Sequence, residues 1–286
     1  MLPQHIRNLI EHSLGFHINN TIQISGGSIN RAIKIVTEAK PLFLKWNDAN
    51  LFPGMFDAEA KGLQLLRSTN TFFIPEVIFT DTADGKSFLI LEWIESGVKI
   101  KNFWNDFGLR LAKLHRHTSK NFGLDHNNYI GSLQQSNVQH SSWINFFINE
   151  RLTPQLKRAV DSGKLPDRLI KQLANLSKQL PEIIPKEKPS LLHGDLWNGN
   201  FMTAHNGSAC LVDPAVYYGH REMDLAMTKL FGGFDREFYE AYNDQFPLEK
   251  DFDSRVDIYN LYPLLVHVNL FGGGYVQQVQ SILSEF

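Results

Sequence analysis

The hydrophobic pattern of this chain turns from strand-rich to mostly helical near Trp93, and that change limits the fold more than any other feature. Before it, short runs rich in β-branched and aromatic residues recur over 21–24, 32–36, 42–46, 77–80 and 88–92. Such runs read as strands. Asp84-Gly85 separates the last two and is a hairpin signal. Two helices are expected in the same region. One is the opening stretch, with Leu2, Ile6, Leu9, Ile10 and Leu14 at helical spacing; the other spans 57–68, with Asp57 as its N-cap. Beyond Trp93 the pattern is helical. Phe103, Phe107, Leu111 and Leu114 mark a helix over 102–120, with others over 141–161 and 167–180 and a short strand over 209–212. The architecture implied is α+β and bilobal. Residues 1–93 form an N-terminal lobe of antiparallel sheet plus helix, residues 94–286 a mostly helical C-terminal lobe, with a hinge at about 92–97. The length, 286 residues, is large for one core and suits two lobes.

Charge and cysteine content exclude several functions. Lys plus Arg number 28 and Asp plus Glu 30, with no basic block, so nucleic-acid binding has no electrostatic support. No apolar run reaches membrane-spanning length, and the opening stretch carries Arg7 and Glu11, unlike a signal peptide. The one cysteine, Cys210, rules out an internal disulfide and a cysteine zinc cluster and fits a reducing compartment. A cytoplasmic protein with no membrane partner is expected. The sequence carries no signature of oligomeric state.

Candidate chemistry concentrates in His193 to Asn200, H-G-D-L-W-N-G-N, followed by Asp213-Pro214-Ala215. An Asp, an Asn five positions on and a later Asp resemble the catalytic core of the protein-kinase fold. Asp195 is the candidate base for an attacking hydroxyl. Asn200 and Asp213 offer hard oxygen atoms suited to Mg²⁺ on the phosphates of ATP. His193 is read as loop support, and Asp224, early in a helix, as a brace for the same loop. Lys45 sits among apolar neighbours on the third strand. Glu59 shares an apolar helix stripe with Leu63 and Leu66, where an unpaired carboxylate is costly. A Lys45–Glu59 pair would aim the ammonium at the α- and β-phosphates. The turn Gly26-Gly27-Ser28-Ile29-Asn30 lies where a phosphate-covering loop belongs, with the Gly26, Gly27, Ser28 and Asn30 positions as candidate contacts. The backbone of Glu92, Trp93 and Ile94 would meet the adenine edge. His115, His117, His220 and His267 have no metal-ligand spacing and read as surface or core residues, and Trp143, Phe146 and Phe147 as helix packing.

Trp197 within the loop motif, together with Tyr129-Ile130-Gly131, Tyr218-Gly219-His220-Arg221-Glu222, Phe231-Gly232-Gly233-Phe234 and Phe271-Gly272-Gly273-Gly274-Tyr275, resembles the fructosamine kinase (ketosamine-3-kinase) family over nearly the whole chain. The resemblance implies an ATP- and Mg²⁺-dependent kinase acting on the 3-hydroxyl of a small-molecule or protein-bound ketosamine, with Trp197 lining the sugar site. It also implies a role in deglycation, because the phosphorylated adduct decomposes and restores the amine. Two departures stand out. Ser28 occupies a position where many relatives carry a redox-active Cys, and Gly194 replaces the kinase Arg before the catalytic Asp. A phosphorylation-dependent activation is not expected. Two alternatives stay open: a kinase of another small alcohol or amine, such as an aminoglycoside or choline, and a non-catalytic nucleotide-binding protein.

Overall fold

The structure, a computed structural model, describes residues 2–24 and 29–286. The chain divides into two compact units, Met1–Ile100 with Met202–Val212, and Lys101–Phe201 with Asp213–Phe286. The first unit thus runs past Trp93 and takes back a segment that follows the catalytic-loop motif.

The first unit opens with helix α1 (Gln4–Leu14), closed by Gly15 in the left-handed conformation. Strands β1 (Asn20–Gln23), β2 (Arg31–Val36) and β3 (Leu42–Asp48) follow, then helix α2 (Met55–Ser68), then β4 (Val77–Ala83) and β5 (Lys86–Glu92). All strand pairs are antiparallel, in the order β1-β2-β3-β5-β4. Asp84 and Gly85 both take positive φ, as the tight β4–β5 hairpin requires. Ile6 and Ile10, one turn apart on α1, pack with Ile33, Ile35, Leu44, Trp46, Phe88 and Ile90. Each such side chain contributes about 1.5–3 kcal/mol on burial. Asp57 is not the N-cap of α2. The helix begins two residues earlier, after Gly54 in the left-handed conformation, and Asp57 lies in its first turn.

The chain continues with α3 (Phe103–Leu114), β6 (Asn128–Ile130) and β7 (Leu133–Gln135). The helix expected over 141–161 is α4 (Trp143–Phe146), a π-helical turn (Phe147–Leu152) and α5 (Thr153–Asp161) in succession. Helix α6 (Arg168–Ile183) and strand β8 (Ser190–Leu192) lead to the catalytic-loop motif. Strands β9 (Phe201–Thr203) and β10 (Ala209–Leu211) pair with each other, and β11 (Tyr217–Gly219) pairs with β8. Helices α7 (Glu222–Leu230), α8 (Arg236–Gln245), α9 (Phe252–Phe271) and α10 (Tyr275–Leu283) close the chain. In the second unit Phe107 of α3 is ringed by Phe103, Trp104, Phe201, Phe234 and Phe238. Trp143 stacks on Phe146 and Phe147, so these rings pack the interior. Cys210 is fully buried, and burial, with the charge of Glu92, pushes its thiol up to about 12. Among the described residues no helix is long and apolar enough to cross a membrane.

Candidate active site

Candidate residues fall in both units, and each group takes its geometry from its own unit. In the first, Lys45 on β3 pairs in register with Ala32 and Leu89 and is buried. Its ammonium lies 2.5 Å from Glu59 Oε1 on α2, with both side chains nearly inaccessible. Strand period and helix period therefore bring the two charges together. Asn30 accepts a 3.0 Å hydrogen bond from Asn47 Nδ2, which ties the end of the glycine turn to β3. Gly26, Gly27 and Ser28 lie outside the described residues. At the end of β5, Glu92 donates its N–H to the Glu76 carbonyl and accepts the Glu76 N–H on Oε2. Lys34 lies 4.2 Å over the Trp93 ring. Ile94 turns its side chain into a small core with Ala204 and Cys210. Gly97 donates its N–H to Thr203, so the far end of the expected hinge is held by β9.

In the second unit the β8–β11 ladder sets Leu192 opposite Tyr217. That register places the residues after β8 beside those before β11, and Ala215 donates its N–H to the His193 carbonyl. The loop is gripped from beneath by Asp224. Its Oδ2 accepts from the His193 N–H at 2.7 Å and its Oδ1 from the Gly194 N–H at 2.9 Å. The buried His193 imidazole accepts the Asp195 N–H on Nδ1. Gly194 explains the missing kinase Arg: its φ is +83°, and a Cβ there would lie 2.1 Å from the Ala215 carbonyl oxygen. No side chain fits.

Asn200 Nδ2 donates to both the carbonyl and Oδ2 of Asp195, each at 2.8 Å. The amide nitrogen is thereby spent, and its oxygen is the atom Asn200 would offer a cation. Burial pushes the Asp195 carboxyl up to about 7; the Asn200 hydrogen bond pulls down, and the Asp213 and Asp224 charges push further up. A carboxyl tuned this way suits proton transfer near neutral pH. Asp213 is exposed and holds φ at +50°, rare for a residue with a side chain. Among the described residues no cluster of three or more His, Cys, Asp or Glu could cage a metal alone. One amide oxygen and one carboxylate instead fit Mg²⁺, which keeps most of its sites for water and substrate phosphates. Trp197 is 36 % exposed, with its ring edge-on to Phe231 at 5.6 Å.

A family model for fructosamine kinase matches residues 2–286. The chain belongs to the fructosamine kinase family. It is 40 % identical over 279 residues to a "probable ketoamine kinase" of Vibrio parahaemolyticus, covering 94 % of this chain and 93 % of that one. It is 37 % identical over 271 residues to a chloroplastic protein-ribulosamine 3-kinase of Arabidopsis thaliana, covering 92 % and 81 %. A crystal structure described as a fructosamine-3-kinase of Haemophilus somnus superposes with a TM-score of 0.88 at 30 % identity, over 98 % of this chain and 96 % of that one. An aminoglycoside phosphotransferase superposes with a TM-score of 0.65 at 15 % identity, which shows a shared protein-kinase-like fold and nothing of the acceptor.

Sequence reasoning set His115 aside. Its Nε2 lies 3.2 Å from Asp224 Oδ2, and its Nδ1 lies 2.9 Å from the Tyr242 hydroxyl. His220 is likewise buried, between Tyr259, the Pro185 carbonyl and Glu187. No local spacing could have revealed either. His115 and Asp224 stand 109 positions apart.

Proposed function

We propose that this protein is an ATP-dependent ketosamine 3-kinase of the deglycation type. The observation that carries the reading is the Asp195–Asn200 pair, held on an Asp224-braced loop, in a chain of the fructosamine kinase family. The ketosamine 3-hydroxyl gives its proton to the Asp195 carboxylate. Its oxygen forms a bond to the γ-phosphorus of ATP as the bond to the β-phosphate oxygen breaks, and ADP leaves. Lys45, oriented by Glu59, takes the α- and β-phosphates, with the glycine turn and the Glu92–Ile94 backbone receiving the rest of the nucleotide. Asn200 and Asp213 would hold Mg²⁺, which when bound would neutralise charge on the phosphates. The half-exposed Trp197 ring receives the sugar. The strand-rich unit serves the nucleotide and the helical unit the acceptor. A lone buried cysteine supports a reducing compartment such as the cytoplasm.

The test is ADP release by purified protein with Mg-ATP against ribulose-lysine, fructose-lysine, kanamycin and choline, with Asp195→Asn as control. Ketosamine-dependent release that is lost in the variant is expected. Turnover with kanamycin or choline alone would overturn the acceptor assignment and leave the kinase chemistry standing.

A further inference from the structure

Beneath the Asp213 segment lies a buried polar relay that begins at a cation. The π-helical turn Phe147–Leu152 carries Arg151, which is fully buried and has no carboxylate partner among the described residues. Its guanidinium lies 4.5 Å from the Phe146 ring and 4.1 Å from the Tyr217 ring. A π-turn inside a helix is often a mark of function rather than of packing. Arg151 Nη2 donates to Asn137 Oδ1 at 2.7 Å, Asn137 Nδ2 donates to Asn128 Oδ1 at 3.0 Å, and Asn128 Nδ2 donates to the Val216 carbonyl at 2.8 Å. A second branch joins at Gln135. The Tyr262 hydroxyl donates to its Oε1, and its Nε2 donates to Asn128 Oδ1 at 2.7 Å and to the Ala215 carbonyl at 3.2 Å.

The bonds that link the two branches all run the same way, from cation and phenol toward two carbonyls, while Arg151 Nη1 also donates to the Ser136 and Glu150 carbonyls and Asn137 Nδ2 to the His126 carbonyl. Such chains polarise one another and lock a single arrangement. The two carbonyls lie two and three residues after Asp213, whose left-handed backbone persists only if its surroundings over-determine it. Ala215 is held at both ends, its N–H on His193 and its carbonyl by Gln135. We propose that this relay positions Asp213 for Mg²⁺ and that Gln135 is the positioning residue through which it acts. The proposal rests on the reading of Asp213 as a metal ligand.

The test uses Gln135→Met, which keeps length and volume but removes both amide ends, and Asn128→Asp, which keeps the acceptor oxygen and loses the donor to Val216. Calorimetry of ADP binding with and without Mg²⁺ is the first readout, and turnover against Mg²⁺ concentration the second. The expected result is folded variants with unchanged ADP affinity in chelator. Their Mg²⁺ enhancement of binding should be weakened by roughly 10- to 100-fold, the usual cost of removing a partner that orients a metal ligand. Excess Mg²⁺ should recover part of the turnover. An enhancement equal to wild type, with turnover lost in step with melting temperature, would make the relay merely structural and overturn the proposal; so would failure of both variants to fold. Wild-type protein showing no Mg²⁺ enhancement would instead sink the metal reading of Asp213, and the relay's role with it.

Discussion

The two units hold their chemistry by different means. In the first, Lys45 and Glu59 sit on regular elements, and one ion pair joins them. In the second, Asp195 sits on a loop whose backbone N–H groups are gripped by the Asp224 carboxylate on α7. A pair on regular elements is a local device: damage to it stays near the two side chains. A loop held through its backbone is a distributed device, and its geometry depends on groups far away in sequence.

The largest expected effect breaks the second device at its tip. Asp195→Asn keeps shape and removes the proposed proton acceptor, so turnover should fall by roughly 10²–10⁴-fold while nucleotide affinity stays intact. Full turnover in that variant would remove Asp195 as the base.

The pair in the first unit is tested by a cycle. Lys45→Met leaves Glu59 buried without its cation and should cost about 3–5 kcal/mol of stability, read from denaturant midpoints. Adding Glu59→Met should return part of it, because two apolar groups need no partner. A double variant no more stable than the single one would show that the pair is not the local device described.

Gly194→Ala sharpens the comparison from the other side. The left-handed backbone alone costs an alanine about 1–2 kcal/mol. The added methyl also meets the Ala215 carbonyl, so turnover should drop further than the loss of stability accounts for. Equal turnover would mean the loop tolerates displacement.

The smallest effect is one of pH. Burial pushes the Glu187 carboxyl up, but the bidentate Arg221 guanidinium and nearby His220 outweigh it and hold it below the ordinary carboxylate value. A depressed carboxylate contributes its stability above its unfolded pKa and loses it as pH falls through the folded one. The melting temperature should therefore decline below about pH 4.3, and Glu187→Gln should flatten that decline.

The same contrast explains how much could be read from the chain. Lys45 and Glu59 were legible because strand and helix periods alone set them on apolar faces. The β4–β5 hairpin was legible from Asp84-Gly85, the kinase-like core from the spacing of Asp195, Asn200 and Asp213, and the family from Trp197 with the glycine and aromatic motifs. What escaped is what long-range contacts decide. Strands β6, β7, β8 and β11 are three residues each, too short for alternation to register. The helix expected to reach residue 120 stops at Leu114, and His115 turns inward to Asp224. The π-turn that delivers Arg151 leaves no mark in a pattern of apolar residues, and Gln135 meets the Ala215 carbonyl across 80 positions. Nor does a helical period reveal that α2 starts at a left-handed glycine rather than at Asp57.

The state of Cys210 has a practical side. Its thiol is buried and pushed up to about 12, so almost no thiolate exists at neutral pH. It is also the sole cysteine of the chain. Native protein should therefore be silent to maleimides, and any cysteine introduced at an exposed position would become its single point of attachment. One such cysteine on each unit could be labelled without first rebuilding the background, and the distance between the two labels followed as nucleotide and acceptor are added.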